Sequence, residues 1–317
     1  MNDLFLLQLL HLVLALLLAP LLTGWVRKVK ARLAGRQGPP LLQPYADLTR
    51  LLRKETVLAH NASWIHRSAP YAVFGATLLV CALLPTVATH TLLRPTADLI
   101  AVIGVLACGR FALALAAMDV GTPLGGMGAS REMMIASLAE PAALMVIFNL
   151  SLAAGATSLP VIAETVLAGR VGLMVSLFLA LTALILVALA ETGRLPVDHP
   201  GASSELSMIH EAMTLEYSGR HLALVEAAAM LKLLFFLSLI GCLFIPWGAA
   251  VAPQPEAAAL LRGTALHVGK LLAGGALLAL FETALAKMRF YRVSELMAAA
   301  LLLGLMGALF FFLAETW

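Results

Sequence analysis

LFLLQLLHLVLALLLAPLLTGWV, from Leu4 to Val26, contains no Asp, Glu, Lys or Arg. A membrane span needs about 20 mostly apolar residues, and this run meets that need by itself. It reads as a first transmembrane helix rather than a secretory signal. Asp3 precedes it where a signal would carry basic residues, it is too long for the apolar core of a signal, and a strongly basic segment follows it.

Similar runs recur along the 317 residues, in a chain that is 61% hydrophobic and only 12% charged. Mean hydropathy is +0.95. That composition excludes an ordinary soluble domain, whose apolar share is about half. A β-barrel would show segments of about ten residues with alternating polarity, and here the apolar runs are continuous over twice that length. The fold class is therefore all-α, a polytopic integral membrane protein forming a single domain over residues 1–317. Eight spans are expected: Leu4–Val26, Ala69–Thr91, Ala97–Met118, Glu132–Ala154, Val171–Ala190, Leu222–Pro246, Gly263–Lys287 and Val293–Ala314.

Charge sets the orientation. The loop 27–68 holds Arg27, Lys28, Lys30, Arg32, Arg36, Arg50, Arg53, Lys54 and Arg67, which makes it cytoplasmic. Alternation then puts 119–131, 191–221 and 287–292 on the same side, adding Arg131, Arg194, Arg220, Arg289 and Arg292. The other side holds only Arg94, Arg170 and Arg262. Both termini are expected outside the cytoplasm. The net charge of +3 thus reports topology, and nucleic acid is not an expected partner.

Cys81, Cys108 and Cys242 lie far apart in apolar runs, so no iron–sulfur or zinc motif is encoded. Most histidines fall in or beside loops, and His11 and His267 read as lone structural residues. No redox cofactor is expected in this chain.

Three groups of residues carry possible chemistry. The first loop contains an amphipathic helix in which Tyr45, Leu48, Leu51 and Leu52 recur at helical spacing, with Asp47, Arg50, Arg53 and Lys54 opposite and Pro44 in the first turn. It suits either the headgroup layer or a docking platform for a cytoplasmic partner. The segment Glu191–Gly219 is acidic, with Glu191, Asp198, Glu205, Glu211 and Glu216 beside the membrane. Clustered carboxylates raise one another's proton affinity, as a proton relay requires. If the stretch after Pro200 is helical, Glu205 and Glu216 share a face. The third group is ionisable and intramembrane: Arg110, Glu140, Glu226, Lys232, Lys270 and Glu282. Each costs about 2.5–3.5 kcal/mol at the bilayer centre, so each carries a functional expectation. Glu140 stands out because Pro141 beside it frees a backbone carbonyl. Lys232 and Glu226 fit either a charged path or a structural ion pair.

Two of these segments resemble the complex I subunit that joins the membrane arm to the peripheral arm, the NADH dehydrogenase subunit 1 family. Arg36, Gly38, Pro39, Gln43, Pro44, Asp47, Lys54 and Glu55 match its first loop. Glu191, Thr192, Arg194, Pro196, Asp198, Pro200, Glu205, Leu206 and Glu216–Gly219 match its acidic loop. The chain departs from the quinone-using branch at Gly201 and Ser203, where further acids would stand, and in three extra residues within Met208–Met213. Its Asp119–Glu132 loop is similar instead to the membrane subunit of formate hydrogenlyase and related group 4 nickel–iron hydrogenases.

That resemblance implies a subunit of the prokaryotic cytoplasmic membrane that docks a redox module through Arg36, Gly38, Pro39, Gln43, Asp47, Arg50, Lys54 and Arg194. The implied partners are hydrogenase large and small subunits, a ferredoxin-like iron–sulfur subunit and antiporter-like membrane subunits, which would hold the nickel–iron site and the clusters. A coupling path would then run through Glu140, Glu191, Asp198, Glu205, Glu211, Glu216, Glu226 and Lys232. Three alternatives stand beside it: a quinone-site subunit of a complex I type dehydrogenase, a free-standing ion transporter, and a scaffold whose buried charges are only structural.

Overall fold

A computed structural model describes residues 2–169, 175–194, 210–251, 256–284 and 291–315. Among them lie eleven α-helices: α1 (Asn2–Leu33), α2 (Gln43–Arg53), α3 (Trp64–Leu83), α4 (Leu99–Asp119), α5 (Pro123–Ala154), α6 (Leu159–Leu167), α7 (Val175–Glu191), α8 (His210–Thr214), α9 (Gly219–Leu243), α10 (Ala257–Ala284) and α11 (Tyr291–Glu315). The described residues form no multi-residue strand, and two isolated bridges, Ala88 with Ala250 and Asp98 with Ser158, tie loops together at one end of the bundle.

Six described helices are long and apolar enough to cross a membrane: α1, α4, α5, α9, α10 and α11. The apolar α7 is shorter, at 17 residues as described, and α3 has 20. Helix α9 is the central post. Helices α1, α2, α3 and α10 pack against it, while α4 lies between α3 and α5, and α11 covers α5 and α7. Its buried Leu231, Leu234, Phe235, Leu239 and Leu243 join Leu22 and Val26 of α1 and Val102 of α4 in one core. At the α5–α11 contact, a Cβ on Gly304 would stand 2.9 Å from the Cβ of Met145, and Asn149 Nδ2 donates to the Gly304 carbonyl at 2.8 Å. Close approach of small residues plus an interhelical hydrogen bond is how helices associate where the solvent is lipid.

Several boundaries differ from the sequence expectation. Helix α1 continues beyond Val26 to Leu33, because Arg27, Lys28, Lys30, Ala31 and Arg32 are good helix formers. It stops at Gly35, whose φ of +70° lets the amide of Arg36 reach back to the Ala31 carbonyl at 2.9 Å. The segment 119–131, expected as a loop, is helical from Pro123. Thr122 caps that helix by accepting from the Gly125 amide at 3.3 Å, with Pro123 in the first turn. The 32 residues of α5 span roughly 48 Å, well over the hydrocarbon thickness of about 30 Å. Helix α3 starts earlier than Ala69, capped by Ser63, and ends at Leu83 before Pro85. The short α6 was not foreseen.

Candidate functional site

Four helices deliver one ionisable group each to the centre of the bundle. Arg110 of α4 lies 2.6 Å from Glu191 at the end of α7 and 3.6 Å from Glu140 of α5. Lys232 of α9 reaches the other Glu191 oxygen at 2.7 Å. Glu191 and Arg110 side chains are each 6% exposed, so this pair has exchanged water for its partners. Two acids and two bases balance, which removes the largest cost of burying them. Glu140 is the accessible member at 38%.

Two cavities flank the cluster. One of about 60 Å³ is lined by Arg110, Glu132, Glu191, Thr192 and Lys232 together with Thr77 of α3 and several apolar side chains, the more polar of the two, with room for a few water molecules. The other, about 40 Å³, reaches Arg110, Glu140 and Glu191 from an otherwise apolar lining that includes Phe235 and Leu239.

A second ionic group lies between α1, α10 and the end of α7. Glu282, 7% exposed, receives Lys30 at 2.7 Å and Arg194 at 2.9 Å. Arg194, expected on the docking surface, is therefore turned inward onto Glu282. Of the two readings open for Lys232 and Glu226, the structural ion pair between them does not occur. Six residues apart, the two point to different faces of α9. Lys232 goes to Glu191, and Glu226 is half-buried within electrostatic reach of Arg27, Asp47 and Arg50. Asp198 and Glu205 lie outside the described residues, and with them the expectation that Glu205 and Glu216 share a face. Glu211 is exposed at α8, and Glu216 is half-buried just after it.

The two sequence segments that were matched separately meet in space. Ser218 accepts from the Val57 amide at 2.8 Å and donates to the Val57 carbonyl at 2.9 Å. Gly219 has φ of +55°, and a Cβ there would lie 2.5 Å from the Glu55 carbonyl. Below them the Tyr217 ring stacks on His66 with centroids 4.2 Å apart, and its hydroxyl donates to the His66 carbonyl at 3.2 Å. Burial pushes the Tyr217 phenol above its usual range, and the Asp119 carboxylate adds to this. Asp119 in turn accepts from the Ser63 amide at 2.8 Å. The chain after Lys54 is thus fixed to the start of α9.

Helix α2 shows the expected amphipathicity. Pro44 is buried, and Tyr45, Leu48 and Leu51 face α1 and α9, while Leu52 is 51% exposed. Gln43, Arg50 and Lys54 are exposed, as is Arg36; Gly38 and Pro39 are half-buried where the loop returns over the end of α1. Asp47 accepts from Arg50 at 3.2 Å on the surface. Sequence reasoning singled out Arg110 as intramembrane but gave it no partner, and it passed over Tyr217 and His66. A mid-span arginine beside a mid-span acid, Glu140, and an acid at a span end, Glu191, was the available signal for the first. Nothing in the spacing flags the ring stack.

Fold and cluster together define a polytopic helical membrane protein with an ionic network in its interior and a built-up loop surface at one end. The chain belongs to the NADH dehydrogenase family, whose model matches residues 6–313. It is similar to formate hydrogenlyase subunit 4 of Escherichia coli K12, with 35% identity over 86% of this chain and 87% of that protein. It is also similar to hydrogenase-4 component C of the same organism, with 34% identity over 88% and 86% respectively. Among solved structures, a chain of the membrane-bound sulfane sulfur reductase, an archaeal respiratory membrane complex, shares the fold. The TM-score is 0.79 at 21% identity, covering 96% of this chain and 99% of that one.

Proposed function

We propose that this chain is the membrane-anchoring and coupling subunit of a multisubunit membrane-bound nickel–iron hydrogenase of the formate hydrogenlyase type. The observation that carries this reading is the near full-length similarity to formate hydrogenlyase subunit 4 and hydrogenase-4 component C. The geometry supports it at two levels. Arg36, Gln43, Arg50 and Lys54 form an exposed polar, mostly basic surface on the joined loops, fit for docking a cytoplasmic module. Beneath it, Glu191, Arg110, Lys232 and Glu140 hold charge where an electrostatic change can move a proton.

In this reading α3 and α7 also cross the membrane, making eight spans with both termini outside the cytoplasm. The nickel–iron site and the iron–sulfur clusters belong to the hydrogenase large and small subunits and a ferredoxin-like subunit, and this chain holds no redox cofactor. Antiporter-like membrane subunits receive the coupling signal. Electron arrival near the loops raises the proton affinity of Glu211, Glu216 and Glu226, with Asp198 and Glu205 in the same segment, and the signal passes through Glu191 to Glu140.

The test is a mild-detergent pull-down of the tagged chain from native membranes of the prokaryotic cell, with nickel and dye-driven hydrogen evolution measured in the eluate. Nickel with activity is expected. Flavin with quinone reductase activity instead would replace this reading with the quinone-site one, and a chain eluting alone would favour a free-standing transporter.

A further inference from the structure

Beyond the charge cluster lies a further small cavity whose mostly apolar lining carries a few buried polar groups. It is lined by His11 of α1, Cys81 of α3, Thr86, Phe235 and Ser238 of α9, and His267 of α10. His11, Ser238 and His267 are 3%, 2% and 7% exposed. Both ring nitrogens of His11 and the hydroxyl of Ser238 lack a hydrogen-bond partner among the described residues. Buried polar atoms are almost always satisfied by protein or by ordered water, so this concentration of orphans marks a place where water belongs. The cavity, about 10 Å³, fits one water molecule.

We propose that His11, Ser238 and His267 bind a water molecule and a transferable proton, forming the outer-half station of the path that begins at the buried charge cluster. A neutral imidazole offers one acceptor and one donor nitrogen, so it takes a proton on one side and releases one on the other. A serine hydroxyl and a water complete that exchange without net charge separation. Phe235 lines this cavity and also the one that contains Arg110, Glu140 and Glu191, so its ring is the partition between the two halves. Lys232 and Ser238 lie six residues apart on different faces of α9, with a rise of roughly 9 Å between them, so the link between the two halves runs past the Phe235 ring rather than straight along the helix.

The neighbouring titratable groups fit this arrangement. Lys270, one turn from His267 on α10, is held by the carbonyls of Ile245 and Trp247, the latter at 2.6 Å, and so is drawn toward the end of the bundle away from the cluster. Cys81 donates to the Leu231 carbonyl and Cys242 to that of Pro85, each at 3.6 Å. None of the described residues lining the cavity is a carboxylate.

The proposal rests on the coupling reading, and its first test is independent of it. The full chain with isotope-labelled histidine, in lipid nanodiscs, is titrated from pH 4 to 8 by infrared spectroscopy in H2O and D2O. His11→Gln and His267→Gln are each expected to remove one titrating, exchangeable ring signal, and Ser238→Ala to shift both. Ring signals of His11 and His267 that neither titrate nor exchange would overturn the site. In the whole complex reconstituted in vesicles, His267→Gln is then expected to lower proton uptake per hydrogen evolved by at least half. An unchanged ratio would overturn the station's role. If wild-type complex takes up no protons at all, the coupling reading fails, and the infrared titration alone decides whether the water and proton site exists.

Discussion

Glu191 is held by two cations, Arg110 at 2.6 Å and Lys232 at 2.7 Å, inside a bundle of apolar helices. Removing one member of such a group leaves a charge without compensation, a loss of about 3–5 kcal/mol, whereas removing opposite charges together is often near neutral. Glu191→Ala is therefore expected to lower the melting temperature of the detergent-solubilised complex, and Glu191→Gln with Lys232→Met to recover at least half of the loss. Equal melting of the single and double variants would mean that the two groups do not interact. Tyr217 permits a pH test. Its phenol is raised in the fold, so its contribution is present below the unfolded value of about 10 and is lost as pH climbs past it. Tyr217→Phe should cost about 1 kcal/mol near neutrality, from the lost bond to the His66 carbonyl. Between pH 9 and 11 it should lose less stability than the parent chain, as read by thermal melts across that range.

At the scale of elements, apolar runs and caps were legible and side-chain meetings were not. The eight runs each found a helix, because length and hydropathy decide that locally. The amphipathic α2 was readable from Tyr45, Leu48 and Leu51 for the same reason. The start of α5 was hidden because LGGMG looks like a loop, although Thr122 and Pro123 carried a cap signal. The intramembrane acids and bases were visible as a set, and the six-residue spacing of Glu226 and Lys232 already set them on different faces of α9, but that Lys232 meets Glu191 depends on how α9 is rotated against α7. Rotation is set by packing across the bundle. The joining of the two loops through Ser218 and Gly219 was likewise invisible, since 161 residues separate Val57 from Ser218. Gly219→Val should break that junction, because its Cβ would meet the Glu55 carbonyl and its φ is unsuited to a β-branched side chain. The expected readout is loss of nickel from the pull-down while the tagged chain still reaches the membrane. Arg50→Glu with Lys54→Glu leaves the junction intact and reverses the exposed charge of α2. It should weaken docking at least tenfold, with the parent interaction itself weakening as salt is raised.

For the whole molecule the open physical question is which helices cross, since α3 and α7 fall outside the six that qualify by length and hydropathy. Charge bias argues that both cross. If α3 lay along the surface, the basic loop containing Arg36 and Arg50 would share a side with Thr96, and if α7 did not cross, Ala168 and Leu215 would share one. Cysteine labelling separates these arrangements. Cys81 and Cys242 are buried and Cys108 is exposed, so all three are first replaced. Single cysteines are then placed at the exposed positions Arg36, Thr96, Ala168 and Leu215. An impermeant maleimide applied to intact cells should modify only those at positions 96 and 168, and applied to inverted vesicles only those at 36 and 215. Between Arg36 and Thr96 the one long apolar helix is α3, so labelling of both from the same side would place α3 in the interface plane. Between Ala168 and Leu215 the described candidate is α7, and the same logic applies. Labelling on opposite sides for both pairs fixes eight crossings, puts the basic residues of α2 on the cytoplasmic face, where the proposed redox module would dock, and orients the Glu191 cluster toward that face with the His11–His267 cavity beyond.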